Sequence, residues 1–210
     1  MVLFDCDGVI VDSEPLTNDV IIQNLAGYGL SLTQDDVANY FIGGTMQGVM
    51  DTSRSMGARL PDDWLDEIYG LMLTRLAQDV ALIPGVTRVL DALDAAGIPF
   101  AIGSNGPHRK MDVTLTKTGI GMRFAGRIYS REDVVNAKPA PDVYLKAAKD
   151  AGIAPQNCVV VEDSASGAKA GKAAGMVTFG FAADTDPAKL EPICDHVFKD
   201  MRDLPQLLGL

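Results

Sequence analysis

The chain has 210 residues, 47% hydrophobic and 22% charged, enough apolar content for a sizeable core in one large domain or a core with an inserted lobe. Its formal net charge of -10 and a pI near 4.5 exclude the basic face that nucleic acid or an anionic membrane requires, although a bound metal could reverse the local field for a small anionic substrate. No apolar run is long enough to span a bilayer, and the first residues lack the basic, apolar and cleavage regions of a signal peptide, so the expected compartment is the cytoplasm.

The opening stretch, MVLFDCDGVIVDSE, reads as an apolar strand ending on two carboxylates, Asp5 and Asp7, one residue apart. Like charges that close repel, and a strand tip is a costly place to collect them unless something positive joins them. A solvated Asp-Gly turn is the alternative reading. Residues 13–83 carry no strand pattern. Leu16, Val20, Leu25 and Tyr28 share one helical face, and Val37, Tyr40 and Phe41 another. Met46, Val49 and Met50 mark a third helix; Trp64, Leu65, Ile68, Met72 and Leu76 mark a fourth. Asp12, Ser13 and Glu14 start the first of these, with Pro15 in its first turn, and Thr33 with Asp36 forms a capping box. Ile83-Pro84-Gly85-Val86 marks the return to a different pattern. Apolar runs at 100–103, 127–130, 159–161 and 176–180 then alternate with amphipathic segments near 86–96, 107–118, 142–151 and 165–174. Gly97, Gly119, Gly152 and Gly175 sit where those helices should end. A strand at 194–198 and a helix near 201–208 close the chain. The expected fold is α/β: a Rossmann-like, doubly wound parallel sheet from residues 1–12 and 84–210, with an all-helical cap domain, residues 13–83, inserted after the first strand.

Polar residues gather where the strands stop. VLF runs into Asp5, FAIG into Ser104 and Asn105, and VVV into Glu162 and Asp163. In an open parallel sheet, ligands bind outside the carboxyl ends of the strands, so these tips should meet at one edge. Each alone also fits the cap of a following helix. Together they gather four carboxylates, Asp5, Asp7, Glu162 and Asp163, whose repulsion predicts a divalent cation. Ligands that are all oxygen favour magnesium over zinc or copper.

These residues resemble the haloacid dehalogenase-like (HAD) hydrolases. DCDGV matches the family's first motif, Ser104 its second, Lys138 in NAKPAPD its third, and Glu162-Asp163 in VVVEDSASG its fourth, all in the family's order. A helical lobe after the first motif resembles the small-cap subgroup that includes β-phosphoglucomutase and sugar-phosphate phosphatases. The resemblance implies an Mg2+-dependent phosphatase of small phosphate monoesters, with Asp5 as nucleophile forming an aspartyl-phosphate and Asp7 as general acid and then base. It further implies metal ligation by Asp5, by Asp7 through its carbonyl, by Asp163, and by Glu162 directly or from one shell out. Ser104, Asn105 and Lys138 would bind phosphate. The loop at Gly43, Gly44 and Thr45 would contact substrate lying between core and cap. The stretch SNGPHRK at 104–110 resembles a sugar-acid phosphatase version of the second motif.

Rival readings are weaker. A haloalkanoic dehalogenase lacks the second aspartate of DCDGV. A β-phosphoglucomutase-like mutase carries a cap histidine where Thr17 falls here, and Lys-Gly where this chain reads IGG at 42–44. A non-catalytic protein binding phosphorylated metabolites should have lost Asp5 or Asp7. GAKAGKAAG at 167–175 lacks the spacing and final hydroxyl of a P-loop. His108 reads as solvated at a helix start, with a substrate contact as the alternative, and His196 as structural. Cys6, Cys158 and Cys194 have no C-x-x-C spacing and read as reduced; carboxylates on both sides make Cys6 a poor nucleophile. A monomer is expected, with no nucleic-acid or membrane partner.

Overall fold

The computed structural model describes residues 1–41 and 45–210, without the side chains of residues 38 and 39. In chain order the strands are β1 (Val2–Phe4), β2 (Val11–Asp12), β3 (Ala81–Leu82), β4 (Phe100–Ser104), β5 (Ile128–Ser130), β6 (Val159–Glu162), β7 (Val177–Phe181) and β8 (His196–Phe198). The helices are α1 (Glu14–Gly27), α2 (Gln34–Tyr40), α3 (Met46–Ser55), α4 (Trp64–Asp79), α5 (Val86–Ala95), α6 (His108–Lys117), α7 (Asp142–Asp150), α8 (Ala165–Ala173) and α9 (Leu204–Leu207). By internal contacts the chain divides into Met1–Asp12 with Ala81–Leu210, and Ser13–Val80.

The first unit is a six-stranded sheet in the order β5-β4-β1-β6-β7-β8, with every pairing parallel. Strands covered by helices on both faces must be apolar throughout, and β1 and β4 are buried along their whole length. On one face Leu3, Ala101 and Val160 pack against Tyr144, Ala147 and Ala148 of α7 and Ala170 of α8. The first strand in sequence thus lies at the centre, between β4 and β6, where the strand order reverses direction. A short antiparallel ribbon pairs Val11 with Leu82 and Asp12 with Ala81. Residues 81–83 thus belong to the first unit, whereas the sequence pattern assigns them to the helical segment.

The second unit is helical. Ile21, Leu25, Val49, Met50, Trp64, Ile68 and Met72 form its apolar cluster, and the Trp64 indole N–H donates to Asn24 Oδ1 at 2.6 Å. Thr33 and Asp36 make the expected capping box on α2. Other differences from the sequence pattern are local. The strand expected at 194–198 begins at His196, and the closing helix is a 3-10 turn, Met201–Asp203, followed by one turn of α-helix. GAKAGKAAG belongs to α8 and its C-terminal turn, as a helix packed on the sheet rather than a phosphate loop. Among the described residues no helix is long and apolar enough to cross a membrane.

The turn Gly121–Phe124 allows a paired test of the packing. Phe124 is fully buried, with its ring edge-on to Phe100 at 5.2 Å, whereas Met122 beside it is 84% exposed. Urea denaturation should show Phe124→Ala losing about 3–5 kcal/mol and Met122→Ala changing stability by less than about 0.5 kcal/mol.

Candidate active site

Three central strands deliver their last residues to one edge. Asp5 follows β1 and its N–H donates to the Val161 carbonyl at 3.0 Å, tying the β1 tip to β6. Ser104 ends β4 and Glu162 ends β6. Beyond Asp5 the chain must turn sharply, and Gly8 does so at φ +71°. A Cβ on Gly8 would lie 2.0 Å from Asp163 Oδ2, so glycine is required both by the backbone conformation and by the acid packed against it. The two acidic regions of the sequence, Asp5-Cys6-Asp7 and Glu162-Asp163, are brought together in this way. Asp5, Glu162 and Asp163 each place one carboxylate oxygen within 4.8 Å of the others.

Lys138 lies within this cluster. Its side chain is 3% exposed, and its ammonium donates to Asp5 Oδ1 and to Glu162 Oε1, both at 2.6 Å. Burial alone would push this ammonium down, but Asp5 and Glu162 more than offset it, so Lys138 is held well above its usual range and stays charged. Asp5 behaves differently: burial pushes its carboxyl up to about 7, with Glu162 and Asp7 adding to the rise and Lys138 opposing it. A carboxyl so placed gains from another cation, and the neighbouring donors are all oxygen. The cluster therefore fits a hard divalent ion such as magnesium.

Neighbouring side chains fix these groups. Asn105 donates from Nδ2 to the Lys138 carbonyl at 3.2 Å and accepts the Lys138 N–H on Oδ1 at 2.9 Å. Both ends of its amide thus clamp the lysine backbone. Ser104 Oγ accepts from the Gly106 N–H at 2.9 Å, which leaves the hydroxyl proton for a ligand oxygen. Glu162 takes four bonds: from Lys138 and the Tyr144 hydroxyl on Oε1, and from the Ser164 N–H and hydroxyl on Oε2. Gly167 leaves it room, since a Cβ there would fall 1.7 Å from Oε1. Lys110 of α6 pairs with Asp7 Oδ1 at 2.8 Å. Cys6, between the two aspartates, has its thiol pushed well above the ordinary range, first by burial and then by Asp7 and Asp5. All three cysteines are free.

Tyr144 has no part in the sequence reading of the site, and Lys110 and Ser164 enter it only within the stretches SNGPHRK and VVVEDSASG, with no role of their own. Ser164 carries a legible signal, a hydroxyl residue that caps α8 directly after the acidic pair. Tyr144 sits on an apolar helix face, where nothing distinguishes it from core. Other expectations fall elsewhere. His108 is bonded through Nε2 to Asp133 Oδ2 at 2.8 Å rather than simply solvated. His196 packs its ring edge against Phe179 at 4.9 Å. Thr45 caps α3, accepting from the Gly48 N–H at 3.1 Å, and Gly43 and Gly44 lie outside the described residues.

Comparison with known proteins bears on this arrangement. A family model for haloacid dehalogenase-like hydrolases matches residues 1–175. The chain is 30% identical to 6-phosphogluconate phosphatase of Escherichia coli (strain K12) over 208 residues, covering 98% of this chain and 93% of that protein. It is 31% identical to hexitol phosphatase A of the same organism over 194 residues, covering 91% and 87% respectively. Among solved structures, a HAD family hydrolase from Deinococcus radiodurans R1 with bound phosphate and sodium shares 34% identity and superposes with a TM-score of 0.85, covering 99% of this chain and 94% of that one. The strand order, the meeting of four motif regions at one sheet edge and these likenesses agree, and the chain belongs to the haloacid dehalogenase-like hydrolases.

Proposed function

We propose that this hydrolase is a magnesium-dependent phosphatase of small phosphate monoesters, sugar or sugar-acid phosphates, working through an aspartyl-phosphate on Asp5. The observation that carries the reading is the Asp5 carboxylate at the tip of the central strand, with a buried ammonium 2.6 Å away and two further acids beside it. Lys138 neutralises charge at the point where a phosphoryl group would be attacked. The Ser104 hydroxyl and the Lys138 ammonium would hold the transferring oxygens.

The chemistry divides between the two aspartates. One Asp5 oxygen attacks phosphorus, the bond to the leaving oxygen breaks, and that oxygen takes a proton from Asp7. A water oxygen then attacks phosphorus while Asp7 accepts its proton, and the electron pair of the Asp5–phosphorus bond returns to the carboxylate. The Asp5 and Asp163 carboxylates and the Asp7 carbonyl would hold magnesium, whose charge offsets that on the phosphoryl oxygens when it is bound. Glu162, already accepting four protein hydrogen bonds, fits the outer position, where it anchors Lys138.

The substrate class rests on the two relatives named as phosphatases of a sugar acid and of hexitols, each matched over most of its length. A mutase gains no support from the cap: the Thr17 hydroxyl is spent within its own helix, donating to the Glu14 carbonyl at 3.0 Å. A hydrolysis screen of phosphorylated sugars, sugar acids and polyols with Mg2+ should show free phosphate released. Transfer of phosphate to a second position of the sugar, without release, would contradict the reading.

Asp5→Asn should lower turnover by roughly 10³-fold or more while preserving the circular dichroism spectrum. Metal binding has a readout independent of activity. Mg2+ at about 100 times its Kd should stabilise the wild type by about 2.7 kcal/mol, raising Tm by roughly 5–10 °C for a chain of this size. Asp163→Asn should remove most of that shift; an undiminished shift would rule out Asp163 as a ligand.

A further inference from the structure

Asp7 needs a fixed place as much as Asp5 does. The proton it handles must reach the leaving oxygen in one step and come from water in the next. Lys138 is engaged by Asp5 and Glu162, both at 2.6 Å. A cation reaches Asp7 from another element: Lys110 Nζ lies 2.8 Å from Asp7 Oδ1, with the lysine side chain 18% exposed and the aspartate 22%.

The base of that lysine is held firmly. Pro107 precedes α6, and its carbonyl accepts the Lys110 N–H at 3.0 Å. The same turn is tied to the end of β5 and the residues after it at three points. The Ser130 hydroxyl donates to the Gly106 carbonyl at 2.7 Å, the His108 N–H donates to Glu132 Oε2 at 2.9 Å, and His108 Nε2 meets Asp133 Oδ2 at 2.8 Å. Gly106 packs beside the pair. A Cβ there would come 3.5 Å from Asp7 Oδ2 and 3.2 Å from Ser104 Oγ. A tethered helix start and a mostly covered side chain together direct Lys110 at one carboxylate.

We infer that Lys110 is a positioning residue for Asp7, holding the proton-transferring carboxylate in place as Lys138 holds the attacking one. This rests on the phosphatase reading above. Lys110 then affects the reaction only where Asp7 does: protonation of a basic leaving oxygen, and activation of water. A leaving group that departs as a weak base needs little from either residue in the first step.

The test compares two rates in Lys110→Met with Mg2+ present. One is steady-state hydrolysis of the sugar phosphate that the wild type cleaves best. The other is single-turnover release of p-nitrophenolate from p-nitrophenyl phosphate with enzyme in excess, which reports the first step alone. Steady-state kcat should fall about 10- to 100-fold, the scale on which a displaced catalytic group acts. KM and the single-turnover rate should stay within about threefold, since little proton donation is needed there. Lys110→Arg, which restores the charge, should recover much of kcat. Equal loss in both assays would overturn the inference, because Lys110 would then act on the phosphoryl group or on the fold; so would unchanged turnover. If Lys110→Met fails to fold, Lys110→Gln carries the same comparison. A wild type that neither releases phosphate from any ester nor frees p-nitrophenolate would sink the phosphatase reading itself, and this inference with it.

Discussion

The buried ion cluster at Lys138 constrains everything around it. An ammonium 3% exposed is tolerated in a protein interior only when acids surround it, and Asp5 and Glu162 do so at 2.6 Å each. Those acids are in turn tolerated only because the lysine is there. The requirement reaches outward through Asn105 on the lysine backbone, Ser164 and Tyr144 on Glu162, and Gly167, whose missing side chain makes room. Removing Lys138 itself would leave two buried acids short of a partner, and breaking a buried pair in this way costs about 3–5 kcal/mol. The same arrangement leaves Asp5 with a carboxyl pushed up to about 7 by burial, close to a set of oxygen donors. The groups that stabilise one another here are the ones the proposed chemistry uses.

The sheet explains why these residues can meet. Asp5, Ser104 and Glu162 are separated by long stretches of chain, yet β1 lies between β4 and β6 and all three run in the same direction. Parallel strands bring their carboxyl ends to one edge, and reversal of the strand order at β1 opens a crevice there. Lys138 arrives by a different route, from the segment between β5 and α7, and Lys110 from the first turn of α6. Asp5 and Asp7 are therefore each paired with a lysine from a different part of the chain.

Most of the fold was legible because its signals are periodic. The apolar runs of β4, β6 and β7 and the helical face of α4 follow directly from side-chain spacing, whereas α1 buries Thr17, Ile21 and Leu25, of which only Leu25 lies on the face that its apolar residues suggest. The two-residue ribbon of β2 and β3 was not legible, since two residues carry no period and only pairing defines them. In the site, the acids and Lys138 stand out through local motifs. Tyr144 does not, because its ring belongs to the apolar face of α7 and only its hydroxyl reaches Glu162. Asn105 was legible as a site residue but not in its job, which depends on Lys138 approaching from 33 positions away. Contacts made across the fold leave no trace in local spacing.

The proposed reaction requires Asp5 to become covalently phosphorylated during turnover. Acid quenching of the enzyme during turnover of a 32P-labelled sugar phosphate, followed by peptide mapping, tests it most directly. The account predicts hydroxylamine-labile label on the peptide containing Asp5. Label on a different residue, or steady turnover with no labelled protein at any quench time, would contradict it.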